Sequence, residues 1–183
     1  MSARRLFFAL WPSEAEQHSL AEAARDLVVS PGARAMVPAN LHVTLVFLGS
    51  VGEDALPQVR SVALNVSERV RVADRPISLT FDRLEHWRKP QIVCATASRS
   101  PRAANELADD LKHALVAAGF TPDLKAFRAH VTLVRKMRNV DASLSARALS
   151  IILEFRDFSL VESRTEGISS TYSVIESWPL CAC

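Results

Sequence analysis

The chain has 183 residues, 22 Lys+Arg against 20 Asp+Glu and a formal net charge of +2. At ~150 residues per domain this is about one compact unit, and with 49 % hydrophobic and 23 % charged residues it is neither a disordered tail nor a polybasic nucleic-acid binder. No apolar run approaches the ~18 residues a membrane span requires, so no membrane partner is expected. Three cysteines fit a reducing, cytoplasmic setting: Cys94 reads as a buried free thiol inside Ile92 to Ala95, and Cys181 and Cys183 lie in a C-terminal tail.

In chain order, Leu6 to Trp11 is a short apolar run stopped by Pro12. The arginines ahead of it mimic the start of a signal peptide, but six apolar residues are too few for one. Ser13-x-x-Glu16 is a capping box that predicts a helix carrying Leu20, Ala24, Leu27 and Val28 and ending at Pro31-Gly32. Leu41 to Leu48, closed by Gly49, reads as a strand. Asp54 to Val70 reads as a helix with Val59, Val62, Ala63 and Val66 inward, and Ile77, Leu79 and Phe81 alternate as a half-buried strand. His86 to Pro90 is expected to turn that strand into a hairpin with Gln91 to Ala97.

Pro101 opens a helix with Leu107, Leu111, Ala114, Leu115 and Ala118 on one stripe and Gly119 as its stop. Ala129 to Arg135, Leu153 to Val161 and Tyr172 to Ile175 are further strands. Helices interspersed with hairpins and a strand-rich end predict an α+β fold with antiparallel pairing rather than a doubly wound parallel sheet.

One feature stands above this pattern. His42-Val43-Thr44-Leu45-Val46 recurs letter for letter as His130-Val131-Thr132-Leu133-Val134, 130 − 42 = 88 residues later. A repeat at about half the chain length predicts two related halves that each lend one strand to a shared site. Alternation puts His42 with Thr44, and His130 with Thr132, on one face of each strand, and turns Val43, Leu45 and Phe47 to the other. Two imidazoles near pKa 6.5 supply a base and an acid for in-line displacement at phosphorus, and the threonine hydroxyls supply donors to the non-bridging oxygens. His18, His86 and His113 have no such repeat and read as solvated.

Neither motif carries a second His, Cys or carboxylate at ligand spacing, so no metal and no cofactor is expected. No Gly-x-Ser-x-Gly elbow and no phosphate-cradling glycine loop occurs.

With these motifs the chain resembles the two-histidine (2H) phosphoesterase superfamily, and within it the RNA 2',3'-cyclic phosphodiesterases formerly called 2'-5' RNA ligases. The resemblance runs through Arg5 to Leu10, Asn40 to Leu45 with Phe47-Leu48-Gly49, Phe127 to Leu133 with Arg135, and Tyr172 to Leu180. It implies a bilobal, pseudo-two-fold α+β domain over residues 1–183, with antiparallel sheets flanked by helices around a central cleft.

It further implies opening of a 2',3'-cyclic phosphate at an RNA 3' end or on a nucleotide to a 2'-phosphate. His42 would be the proton donor and His130 the proton acceptor, Thr44, Thr132 and Arg135 would bind phosphate, and reversal would give 2'-5' ligation without ATP. A monomer is expected. The identical motifs do not themselves say which histidine is the acid. Ala129 departs from the proline common before the second histidine. Strict alternation puts Arg135 on the face opposite His130, so a twist at the strand end is needed to bring it to the site.

A non-catalytic nucleotide-binding module and a phosphodiesterase for small cyclic nucleotides are the competing readings. Arg34, Arg88, Lys89 and Arg128 lie in loops as candidate RNA-backbone contacts, and a terminal base is expected to stack on an aromatic ring. From Leu27 to Gly52 and from Leu124 to Val140 the sequence has no acidic residue, so both motifs are expected to face an acid-free cleft suited to an anion.

Overall fold

The computed structural model describes residues 3–27, 32–70, 75–140, 144, 147, 149–166 and 169–181. Its strands and main helices, in chain order, are β1 (Ala3–Leu10), α1 (Glu14–Ala24), β2 (Arg34–Ala35), β3 (Val43–Gly52), α2 (Leu56–Val70), β4 (Ile77–Phe81), β5 (Arg83–Trp87), β6 (Ile92–Thr96), α3 (Arg102–Ala117), β7 (His130–Arg135), β8 (Ile151–Phe155), β9 (Asp157–Glu166) and β10 (Ser169–Pro179). The expected α+β class with antiparallel pairing is what the chain forms.

A large sheet runs β10-β9-β1-β3-β7-β6-β5, with β2 added beside β7, and a separate ribbon pairs β4 with β8. Every pairing is antiparallel. Residues of β1 are buried on both faces, which accounts for the unbroken apolar run at its end. Leu6, Phe8 and Leu10 enter the main core with the helices, while Phe7 and Ala9 join Val161, Trp11 and Tyr172 in a small cluster on the other side. Helices thus cover one face, and the opposite face is left for the site.

The helices follow the sequence closely. Ser13 caps α1 through its side chain while the Glu16 carboxylate returns to the Ser13 amide at 2.8 Å. The same carboxylate accepts the Glu154 amide at 2.9 Å and so ties α1 to β8. Regular α1 stops at Ala24, with a 3₁₀ turn over Arg25–Leu27; Val28 and Pro31, part of the expected helix end, lie outside the described residues. Gly119 has φ +85°, a left-handed conformation suited to glycine, and the Gly119 and Phe120 amides close α3 onto the Val116 and Leu115 carbonyls.

Two strand expectations are corrected. Ile77–Phe81 does not form a hairpin with Ile92–Thr96: it pairs with β8, and the partner of β6 is Arg83–Trp87. The cause is a phase break, since Phe81 and Leu84 are both buried yet three residues apart, and Asp82 between them accepts the Ser98 amide at 2.9 Å and hydroxyl at 2.5 Å. Likewise Leu153 to Val161 is two strands divided at Arg156, whose carbonyl takes the Leu180 amide at 2.7 Å as the chain leaves the ribbon for the large sheet. The last strand extends well beyond Tyr172 to Ile175 at both ends.

Replacing the cap, Ser13→Ala, should lower unfolding stability by about 1 kcal/mol in urea titration, with the cleft on the other side of the sheet unaffected. An unchanged midpoint would show that the capping box does not hold this helix.

Candidate active site

The two repeated pentapeptides meet where β3 touches β7, and the one registered pair there is Val43 with Val131, the second residue of each copy. A local two-fold axis therefore passes between equivalent residues. Continuing that antiparallel register brings His42 toward Thr132 and Thr44 toward His130. All four side chains line one cleft of about 660 Å³.

Each histidine is held in the same way. The Nδ1–H of His42 donates to the Asn40 carbonyl at 2.7 Å, and that of His130 donates to the Arg128 carbonyl at 2.7 Å. Holding the proton at Nδ1 makes Nε2 the nitrogen that gains and loses a proton in both rings. In His42 that nitrogen lies 3.1 Å from the Thr44 hydroxyl, which donates to it when the ring is neutral. Asn40 is fixed in turn by its side-chain amide, which donates to the Ser170 carbonyl at 3.0 Å.

The motifs also share a bulge. Against β1, the register steps from Phe8↔Val46 to Ala9↔Thr44 and skips Leu45; against β6, it steps from Val93↔Val134 to Cys94↔Thr132 and skips Leu133. One extra residue reverses the alternation beyond it. The fifth residue after each histidine therefore returns to the cleft side, and both Phe47 and Arg135 line the cleft. This corrects the expectation that Phe47 faces away: it is 48 % exposed, and its backbone carbonyl takes the Asp123 amide at 2.9 Å. For Arg135, the bulge does what the strand-end twist was expected to do. Its guanidinium donates to the Tyr172 hydroxyl at 3.3 Å.

The surroundings of the two imidazoles differ. His42 is caged by Trp11, stacked at 5.3 Å, and by Phe7 and Tyr172 at 5.0 and 5.1 Å. Its pKa is pushed down to about 4, chiefly by burial; the Asn40 carbonyl pulls it up, and the charges of His130 and Arg135 contribute to the lowering. His130 sits against Trp87 at 4.6 Å. Burial lowers its pKa as well, with the Arg128 carbonyl opposing, Arg128 charge lowering and Glu85 charge raising it.

Of the candidate backbone cations, Arg128 reaches the cleft lining but is engaged by Glu85, while Arg34, which lies in β2 and not in a loop, Arg88 and Lys89 are exposed and outside it. The acid-free cleft is corrected too, because Asp123 lines it, bonded to Lys125 at 3.0 Å. His18 and His113 are exposed on helices as expected, whereas His86 is partly buried and its Nε2 donates to the Met137 carbonyl at 2.8 Å. Cys94 is the expected buried thiol, pushed up to about 12 by burial and 3.8 Å from the Thr132 hydroxyl. Cys181 is buried beside Arg156; Cys183 lies outside the described residues. No group of three His, Cys, Asp or Glu side chains is arranged to hold a metal ion among the described residues, and none of their helices is long and apolar enough to cross a membrane.

Sequence reasoning did not identify Phe7, Trp11, Trp87 and Tyr172 as site residues, nor Glu85. The aromatic residues sit in or beside strands whose cleft-facing side is decided only by pairing, and no local pattern marks them.

A model of the 2'-5' RNA ligase superfamily matches residues 11–164. An RNA 2',3'-cyclic phosphodiesterase of Archaeoglobus fulgidus is 30 % identical over 166 residues, covering 87 % of this chain and 90 % of that protein. One of Escherichia coli is 25 % identical, covering 97 % of each. Among solved structures, a phosphoesterase superimposes with a TM-score of 0.85 at 22 % identity, covering 99 % of this chain and 100 % of that one, and E. coli LigT complexed with 3'-AMP with 0.81 at 22 %, covering 97 % and 98 %.

The half-buried His42 links protonation to folding. Its native pKa lies below the unfolded value of 6.5, so its contribution is complete above pH 6.5 and is lost as pH falls toward about 4. Urea titrations at pH 7 and pH 4 should show the wild type losing up to about 3 kcal/mol more than His42→Gln over that window. Parallel losses would mean that the ring is not desolvated.

Proposed function

The chain belongs to the 2'-5' RNA ligase superfamily, and we propose that it hydrolyses RNA or nucleotide 2',3'-cyclic phosphates to 2'-phosphates by metal-independent catalysis from its two motif histidines. The observation that carries this reading is the pair of rings, each locked at Nδ1 on a backbone carbonyl and placed in one cleft about a two-fold axis. In-line displacement needs a base on one side of phosphorus and an acid on the other, and that symmetry supplies one ring for each.

In this scheme His130 Nε2 takes the proton of water as its oxygen bonds to phosphorus. The bond from phosphorus to O3' breaks, and O3' takes the proton of His42 Nε2. The Thr44 and Thr132 hydroxyls and the Arg135 guanidinium hold the non-bridging oxygens, whose charge shifts in the transition state. An RNA 5'-hydroxyl in the place of water would give a 2'-5' linkage with no ATP. Local electrostatics supports this assignment: burial, with the His130 and Arg135 charges, disfavours the proton on His42, whereas at His130 the Arg128 charge that lowers proton affinity is opposed by the Glu85 carboxylate. The names of the curated relatives support the substrate class. Phe47, exposed at the cleft, offers a face to the terminal base.

An oligoribonucleotide ending in a 2',3'-cyclic phosphate, incubated with EDTA, tests this. Turnover should persist in the wild type and fall ~10²-fold or more in His42→Ala and in His130→Ala. Loss of turnover on chelation, or tight nucleotide binding without turnover, would overturn it.

The pH dependence carries a sign. The diester stays a monoanion, so kcat/KM reports the free enzyme, in which both histidines titrate below 6.5. Protonated His42 becomes scarce as pH rises, so kcat/KM should fall from mildly acid toward alkaline pH, and kcat, measured with a phosphate anion bound, should fall at higher pH than kcat/KM. A flat kcat/KM from pH 5 to 9 would remove the paired roles. Phe47→Ala should raise KM for the RNA end by about tenfold with little change in kcat, the loss of one base contact worth ~1–3 kcal/mol.

A further inference from the structure

Two identical pentapeptides face one cleft, yet among the described residues a carboxylate charge bears on the histidine of the second copy and none on that of the first. In the register across β5, β6 and β7, Glu85 pairs with Cys94 and Cys94 with Thr132, so Glu85 lies on the row of the second motif's threonine, two strands away. Its side chain is 29 % exposed. One oxygen accepts the Thr96 hydroxyl at 3.1 Å, the other accepts the Trp87 indole N–H at 3.0 Å, and both accept Arg128 Nη2 at 2.6 Å. Burial raises its pKa but these bonds outweigh it, so the net shift is down and the carboxylate is charged at neutral pH.

Each of those three partners also touches His130. Thr96 is its cross-strand neighbour, Trp87 packs on its ring, and the Arg128 carbonyl takes its Nδ1–H. The Arg128 guanidinium in turn lies 5.1 Å over the Trp87 ring, which closes the group. Around His42 the corresponding groups are neutral: the Asn40 carbonyl, the Thr44 hydroxyl and three aromatic rings, with Arg135 as the nearby fixed charge.

We propose that Glu85 is the positioning residue of His130, orienting the imidazole through Arg128, Trp87 and Thr96 and, by its charge, making the second of two identical motifs the proton acceptor. The role in proton transfer rests on the proposed phosphodiesterase chemistry; the orientation and the charge asymmetry do not. The charged groups bearing on His130 are Glu85 from β5, Arg128 from the segment before β7 and, across the cleft, His42; Arg135 and the Asp123–Lys125 pair line the same cleft.

The test is a charge cycle read by ¹⁵N NMR titration of both imidazoles in the full, ligand-free chain. Glu85→Gln should lower the pKa of His130 by about half a unit or more, and Arg128→Gln, which keeps the backbone carbonyl, should raise it. The double variant should return it near the wild-type value, and His42 should stay in place throughout. With a cyclic-phosphate dinucleotide, Glu85→Gln should lower kcat about tenfold and leave KM within about twofold.

Shifts of the same sign in the two single variants, or His42 moving together with His130, would reduce Glu85 to a structural brace and overturn the proposal. Opposite shifts with kcat unchanged would overturn its part in the reaction. A wild type that titrates as expected but turns over no cyclic phosphate would instead sink the proposed activity while leaving the charge asymmetry standing.

Discussion

The cleft depends on one antiparallel contact, Val43 against Val131, through which the two halves of the large sheet are joined. Both valines are fully buried, so hydrophobic burial on the helix-covered side holds the junction. Because the contact is between equivalent residues of a repeat, everything flanking it is duplicated about the same axis. A histidine before the valine and a threonine after it become two histidines and two threonines on the exposed face, with no further sequence needed to bring them together.

The bulges at Leu45 and Leu133 extend that duplication. Without them each strand would send its fifth residue after the histidine into the helix-covered layer, where a guanidinium would lose its hydration without a compensating partner. With them, the leucines and the following Val46 and Val134 are both buried, and Arg135 and Phe47 emerge toward the cleft. The same backbone irregularity therefore delivers a cation at one copy and an aromatic ring at the other. Symmetry of the backbone sets the places, and divergence of single residues sets the chemistry at them.

This explains how far the sequence was legible. The capping box at Ser13, the α2 and α3 stripes and the paired His-x-Thr motifs are local patterns, and local physics decides them. The partner of Ile77–Phe81 was not local: alternation marks a strand but not its neighbour, and the phase break at Asp82 shows only when Phe81 and Leu84 are compared. The placement of Phe47 and Arg135 escapes the sequence for a related reason, since a bulge is set by the register against β1 and β6, and strict alternation is silent about it. The acid-free stretches around each motif were real in the sequence, yet Asp123 enters the cleft from just outside one of them and Glu85 approaches from another strand.

Identical motifs acquire different proton affinities because burial and charge are properties of the surroundings and not of the pentapeptide. Both rings lose hydration, which disfavours the imidazolium in each. At His42 the nearby fixed charge, Arg135, adds to that penalty. At His130 the Arg128 charge adds to it and the Glu85 charge opposes it, so Glu85 offsets a penalty that has no such counterweight at His42. A symmetric pair would leave the two rings with the same proton affinity. The ion pair at one copy, set against the aromatic cage at the other, breaks the degeneracy while the two-fold backbone keeps both nitrogens aimed into the same cleft.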